Sequence, residues 1–284
     1  MSSSLLCLVL AIAPAADYAK PELLAEASVL VKDPKGLILD VRGKAQYLRG
    51  HIPGAVWVDA VAWGKAFTPR ASAGDWSKRL GDAGIDLDKP VVLCGSDDVR
   101  EAARIWWIMR YWGVKDVRIL NGGWPAWQAA GGQAAKEERH PQPRTLDLKA
   151  RADRLATKDQ LLTLLKGAPP QILDVRSTAE FCGDRTTAKR NGSIPGAINL
   201  EWSECIDAKT NKFKSSAELQ QLFQDHKIDV NKPAITYCQS GGRASVMAFA
   251  LELMGGNQVQ NYYQSWAEWG NDPKTPVVKP SGKK

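Results

Sequence analysis

Cys238-Gln239-Ser240-Gly241-Gly242-Arg243 joins an apolar run, Ala234–Tyr237, to a periodic stretch that begins near Ala244. Only a short loop separates the sulfur from the start of that stretch, and two of its residues are glycines, so the backbone can curl and aim several N–H groups at one centre. Such a nest, helped by the partial positive charge of a helix N-terminus and by Arg243, stabilises an anion. The same field favours the ionised form of a thiol placed there, and the thiolate is the nucleophile. Cys238 is therefore the candidate nucleophile, and Gln239, Ser240, Gly241, Gly242 and Arg243 are the candidate anion cradle. A packing cysteine at a strand end is the plain alternative, because free Cys is among the most buried residue types. The glycine pair, the arginine and the helix start, all gathered around one sulfur, weigh for chemistry.

A second cysteine stands at a similar place in Cys94-Gly95-Ser96-Asp97-Asp98-Val99-Arg100. This loop reads as one residue longer up to its arginine and carries two carboxylates where the other has Gly241 and Gly242. Like charges beside a thiolate raise its pKa and repel anionic donors. Cys94 is expected to be structural.

These loops sit in a chain that repeats itself at an offset near 140 residues. Leu37-Ile38-Leu39-Asp40-Val41-Arg42 recurs as Ile172-Leu173-Asp174-Val175-Arg176, and His51-Ile52-Pro53-Gly54-Ala55 as Ser193-Ile194-Pro195-Gly196-Ala197. Val91-Val92-Leu93-Cys94 recurs as Ala234-Ile235-Thr236-Tyr237-Cys238, and each copy ends on a spaced pair of tryptophans, Trp124 with Trp127 and Trp266 with Trp269. Short apolar runs that read as buried parallel strands alternate with amphipathic stretches such as 102–112 and 244–254. The expected fold class is α/β, with two domains of mostly parallel sheet flanked by helices. Ligands of such sheets bind outside the carboxyl ends of the strands, which is where both cysteine loops lie. The predicted boundaries are a domain over 20–132, a linker over 133–150 rich in charge and proline, and a second domain over 151–284. The Ile-Pro-Gly-Ala segments read as turns, and the tryptophans as packing rather than ligand platforms.

The Cys238 loop, the two Asp-Val-Arg strand ends, the two Ile-Pro-Gly-Ala turns and Gly122-Gly123-Trp124 together resemble the two-domain rhodanese family of thiosulfate and 3-mercaptopyruvate sulfurtransferases. The resemblance runs from about residue 18 to residue 272. It implies rhodanese-like domains, the first of them inactive, and no cofactor. It also implies a double displacement in which a small anionic sulfur donor, thiosulfate or 3-mercaptopyruvate, loads a persulfide on Cys238. Cyanide or a thiol then accepts the sulfur. Thiosulfate is the expected donor, because Arg243 and Arg190 could pair with a compact dianion. Arg190, in Arg190-Asn191-Gly192-Ser193, matches the family arginine near the donor, while Asp174 and Arg176 match positions expected to brace the loops. Where the family often has His this chain has Ser193, and the first copy keeps His51; that histidine is expected to be structural. Cysteine phosphatases related to this fold share the Cys-x5-Arg spacing of Cys94 and Arg100, but the acidic pair argues against an oxyanion there. A non-enzymatic persulfide carrier or redox sensor is the remaining alternative.

Composition agrees with a globular chain and excludes other classes. Of 284 residues 44% are apolar and 24% charged, and no apolar run is long enough to span a bilayer. The net charge of +7 is scattered among Asp and Glu with no basic stripe, so neither nucleic acid nor membrane is an expected partner. No C-x-x-C pair or metal-ligand spacing occurs among the cysteines and the three histidines. Residues 2–16 form a short apolar stretch ending in small residues, with Ala16 and Ala19 as possible cleavage positions, although the positive n-region is missing. A periplasmic or secreted location is expected, with a cytoplasmic one as the alternative; Cys7 reads as filler in this segment. Export would admit a Cys182–Cys205 bridge.

Overall fold

The computed structural model describes residues 18–185 and 187–281. The apolar N-terminal segment and Cys7, and with them the expectation of export, lie outside the described residues. The valine- and leucine-rich runs become strands: β1 (Leu24–Ala25), β2 (Leu37–Asp40), β3 (Val56–Trp57), β4 (Val91–Cys94) and β5 (Val117–Leu120) in the first half. The second half supplies β6 (Gln171–Asp174), β7 (Ile198–Asn199), β8 (Ala234–Tyr237) and β9 (Val259–Asn261). All pairings are parallel, in the order β1-β5-β4-β2-β3 in one sheet and β7-β6-β8-β9 in the other. Two α/β domains are thus present, as expected.

Helices cover the sheets: α1 (Ala27–Leu30), α2 (Lys44–Arg49), α3 (Ala60–Ala66), α4 (Ala73–Asp82), α5 (Arg100–Tyr111) and α6 (Gly123–Ala129) in the first domain. Then follow α7 (Lys158–Leu164), α8 (Thr178–Cys182), α9 (Ser216–Asp225), α10 (Gly242–Leu253) and α11 (Ser265–Trp269). Ser177 and Ser215 start α8 and α9 with capping boxes closed by Glu180 and Glu218, which satisfies amides that a helix start leaves open.

The helix after each cysteine loop meets its counterpart at the domain boundary. Trp106 of α5 meets Phe249 of α10 with ring centroids 4.9 Å apart, and Trp107 stacks on Tyr263 at 5.3 Å. One apolar core runs through both domains as a result. The expectation of amphipathicity over 244–254 is corrected here: residues 244–253 are all buried, because α10 is enclosed between its own sheet and α5. Eight tryptophans, from Trp63 to Trp269, are buried and serve packing.

Residues 133–150 contain no helix or strand, yet they are clipped along the first domain rather than hanging free. His51 and Ala135 exchange backbone bonds of 3.0 and 2.8 Å, and the Ser77 hydroxyl donates to Leu146 O at 2.8 Å. The second domain repeats the device, Ser193 and Val278 exchanging bonds of 2.9 and 3.0 Å. These clips are made by backbone, so Ser at 193 does the work of His at 51. The His51 ring stacks on Tyr47 at 3.8 Å and is fully buried, in keeping with a structural part.

Candidate active site

The registers of β4 and β8 decide which residues of the two loops correspond. Asp40 lies opposite Cys94, whereas Asp174 lies opposite Tyr237. The Trp124 amide donates to Gly95 O at 2.9 Å, as the Trp266 amide does to Cys238 O at 3.0 Å. The counterpart of Cys238 is therefore Gly95, and Cys94 is the counterpart of Tyr237. The expected match of the two cysteines is wrong by one residue, and with it goes the extra length of the first loop. Gly95 stands five positions before Arg100, just as Cys238 stands five before Arg243.

Side chains alternate across a strand, so this offset turns Cys94 to the far face of its sheet. There it packs with Ile38, Val92 and Leu120, while Cys238 belongs with Leu173, Val175 and Ala244 on the inter-domain side. Burial, and after it the Asp40 carboxylate, push the Cys94 thiol well above the ordinary range. The acidic pair of its loop is not the cause. Asp98 is held by Arg100 Nε at 2.7 Å, an ion pair that also keeps Arg100 from cradling a phosphate.

Cys238 sits just beyond the end of β8, at 1% exposure. Its N–H donates to Ser265 Oγ at 3.0 Å, and that oxygen lies 3.9 Å from Sγ. Ser265 holds a left-handed φ of 55°, a conformation that costs a non-glycine residue about 1–3 kcal/mol and persists where the surroundings over-determine it. Gly241, at φ 85°, turns the loop, and its carbonyl accepts from Ser245 N and Oγ, each at 2.9 Å. Among the described residues, the backbone N–H groups of Gln239, Ser240, Gly241, Gly242 and Arg243 find no acceptor in the protein. Five donors at the head of α10 suit an anion.

The arginine of the loop is not idle. Arg243 Nη1 and Nη2 donate to the two carboxylate oxygens of Glu180 at 2.7 and 3.0 Å. Burial opposes the Arg243 charge, but this pair and the Cys238 sulfur hold it more firmly protonated than usual. Burial likewise opposes ionisation of Glu180, yet Arg243 and the Ser177 amide and hydroxyl prevail and hold its carboxyl at about 2. A folded-state pKa below the unfolded value of 4.5 means stability fully present above pH 4.5 and lost as the pH falls towards 2. Glu180→Gln is expected to lower stability by about 1–2 kcal/mol at neutral pH and to flatten the fall in that acid window. Urea unfolding midpoints from pH 7 down to 2.5 check this; an unchanged acid slope would show that the pair does not form.

Asp174 and Arg176 brace the loops as expected. Arg176 donates from Nε to Asp174 Oδ1 at 2.9 Å and from Nη2 to Gly192 O at 2.7 Å, and its guanidinium lies 4.4 Å from the Trp266 ring centroid. Asp174 also accepts the Tyr237 hydroxyl, which in turn accepts the Ile194 amide at 3.1 Å. The arrangement ties β6, β8 and the turn at residues 192–194 together under Cys238.

Arg190 is placed away from this cluster. Its guanidinium caps the end of α11, donating to Trp269 O at 2.8 Å and Thr275 O at 2.7 Å, and also to Asp272 O. A donor anion meeting Arg190 would have to displace those bonds. The arginine that does reach the loop was missed in the sequence: Arg104, on α5 of the first domain, donates to Ser240 O at 2.9 Å and to the Tyr263 hydroxyl at 3.1 Å. Tyr263 and Ser265 were missed as well. Cys94, Cys182, Cys205 and Cys238 are all free thiols, so the Cys182–Cys205 bridge is not formed. Among the described residues no group of His, Cys, Asp and Glu comes together as metal ligands, and no helix is long and apolar enough to cross a membrane.

The Rhodanese-like domain model matches this chain twice, over residues 23–130 and 157–272. A thiosulfate sulfurtransferase of Pseudomonas aeruginosa is 31% identical over 248 residues, covering 86% of this chain and 91% of that protein. The sulfur carrier protein TtuD of Thermus thermophilus is 33% identical over 281 residues, covering 92% of this chain and 98% of its own. Among solved structures, EanB with a cysteine persulfide, in a tetrahedral intermediate state with ergothioneine, aligns with a TM-score of 0.82 at 26% identity. That alignment covers 93% of this chain and 72% of the other.

Proposed function

The chain belongs to the rhodanese-like domain family, two copies in tandem, and from that premise we propose that its second copy moves a sulfane sulfur from thiosulfate to cyanide or a thiol through a persulfide on Cys238. In the loading step the Cys238 thiolate attacks the outer sulfur of thiosulfate. A sulfur–sulfur bond forms to the protein, the bond inside thiosulfate breaks, and its electron pair leaves on sulfite. In the second step cyanide attacks the outer sulfur of the persulfide, thiocyanate departs and the thiolate is restored.

The observation that carries this reading is the run of five consecutive N–H groups without protein acceptors in the loop and helix start that follow Cys238. Preorganised donors of that kind stabilise a developing anion without reorganising. The first domain has Gly95 at the same place and no sulfur to use. A small donor is supported by the 1% exposure of Cys238 and by a cleft of about 350 Å³ that reaches its loop at Ser240 and is lined by Lys65, Arg104 and Glu101. The named activity of the Pseudomonas aeruginosa relative supports thiosulfate. 3-Mercaptopyruvate is the competing donor, and the ratio of kcat/KM for the two decides between them.

The Thermus thermophilus relative's name favours a second reading, a carrier that passes its sulfur to a partner protein. Turnover separates the two, since a carrier stops after one sulfur per chain. Intact mass measurement after incubation with thiosulfate is expected to show a single added sulfur on the peptide holding Cys238, removed by cyanide. An unmodified chain, or sulfur on another cysteine, would overturn the proposal. Export is supported by the apolar segment 2–16, and mature N-terminal sequencing tests it.

A further inference from the structure

The second domain keeps its own cations occupied: Arg243 is paired with Glu180, and Arg190 caps α11. The guanidinium at the mouth of the Cys238 loop comes from the other domain. Arg104 Nη1 holds Ser240 O and the Tyr263 hydroxyl, and that hydroxyl donates to Gly64 O at 2.9 Å. The packing is close enough to need small neighbours on both sides. A Cβ on Gly64 would lie 2.6 Å from Arg104 Cδ, and one on Gly242 would lie 2.4 Å from its Nη2.

Even so, the guanidinium is incompletely used. Nε lies 3.2 Å from Glu101 Oε2 but out of hydrogen-bond alignment, and Nη2 has no hydrogen-bond acceptor among the described residues. The cleft beside it is lined by Lys65 and Glu101 of the first domain and by Ser240, Tyr263 and Gln264 of the second. Lys65 is exposed at its rim. Two cations against one carboxylate, with the Arg104 Nη2 group unused and the cleft lying next to the nucleophile's loop, suit a compact anion.

We propose that Arg104, with Lys65 beside it, receives the anionic group of the sulfur donor, so that the domain without a nucleophile supplies the donor site of the domain that has one. The proposal rests on the persulfide reading of Cys238 and adds to it the residues that recognise the donor. Arg104 holds its charge there: burial opposes it, but Tyr263, Glu101 and the Cys238 sulfur keep it more firmly protonated than usual.

The test uses the full chain and two alkylating reagents of similar size, anionic iodoacetate and neutral iodoacetamide. Both need the Cys238 thiolate, so the ratio of their rates cancels the thiolate population and reports the local preference for an anion. Arg104→Gln is expected to lower the iodoacetate-to-iodoacetamide ratio about tenfold and to raise the thiosulfate KM by a similar factor, with kcat changed by less than about threefold. Lys65→Ala, at an exposed position that leaves the core untouched, is expected to lower the ratio about threefold and serves if Arg104→Gln fails to fold. An unchanged ratio in either folded variant, with both rates falling together or not at all, makes the residue merely structural and overturns the proposal. Failure of the parent chain to take up sulfur at Cys238 is a separate result, and it overturns the reading beneath.

Discussion

Cys238→Ser is expected to reduce sulfur transfer to below about a thousandth of the parent rate, while Cys94→Ser leaves it within about twofold. The first effect is total because a serine hydroxyl stays protonated at neutral pH and cannot hold the second sulfur, so neither half of the reaction survives. The second follows from register. Cys94 is the last residue of β4 and faces Ile38, Val92 and Leu120 across the sheet from the site, and its fully buried thiol is pushed far from ionisation. A hydroxyl there would bury a polar group among apolar ones and cost about 1–3 kcal/mol of stability, but it would not touch the loop. Steady-state thiocyanate formation by the two variants checks both arms. Loss of activity in Cys94→Ser with retention in Cys238→Ser would move the working site to the first domain.

What could be read from the sequence is what one segment carries by itself. The Cys238 loop, with its glycines, its arginine and the apolar run before it, announces its chemistry locally. The repeated Asp-Val-Arg and Ile-Pro-Gly-Ala segments divide the chain for the same reason. The one-residue error at Cys94 arose because both copies end an apolar run on cysteine. The pairing of β2 with β4 and the Trp124 amide bond to Gly95 O, which join residues far apart in the chain, show that Gly95 has the nucleophile's place. Arg104 was hidden differently. It sits in a helix whose pattern declares packing, and nothing local says that one turn of its surface meets a loop 136 residues later. Ser265 was invisible because a serine after Gln264 gives no sign of a left-handed backbone, although Gly123 at the matching point of the first domain, with φ 58°, was a hint of one. Arg190 shows the reverse: its residue type suggested an anion, but the ends of α11 and the chain beyond it supply carbonyl oxygens that take its N–H groups.

Gly241→Ala is expected to lower kcat by about a hundredfold or more, while Gly196→Ala, at another left-handed glycine of the same domain, leaves it within about twofold. Both positions have similar backbone angles, φ 85° and 75°, so the intrinsic cost of adding a side chain is shared, about 1 kcal/mol in each. The surroundings differ. Nothing lies within 4 Å of a Cβ at Gly196, whereas one at Gly241 would come within 2.6 Å of the Tyr263 ring. That ring cannot retreat, since it stacks on Trp107 at 5.3 Å and its hydroxyl is tied to Gly64 O at 2.9 Å across the domain boundary. The loop must yield instead, and displacement of its amide donors by about 1 Å is enough to cost two orders of magnitude in rate. Because Gly196→Ala shares the backbone penalty, a difference in kcat between the two variants isolates the position of the N–H donors from general destabilisation. Equal kcat values in variants that both fold would mean that the donors around residue 238 do not contribute to the reaction.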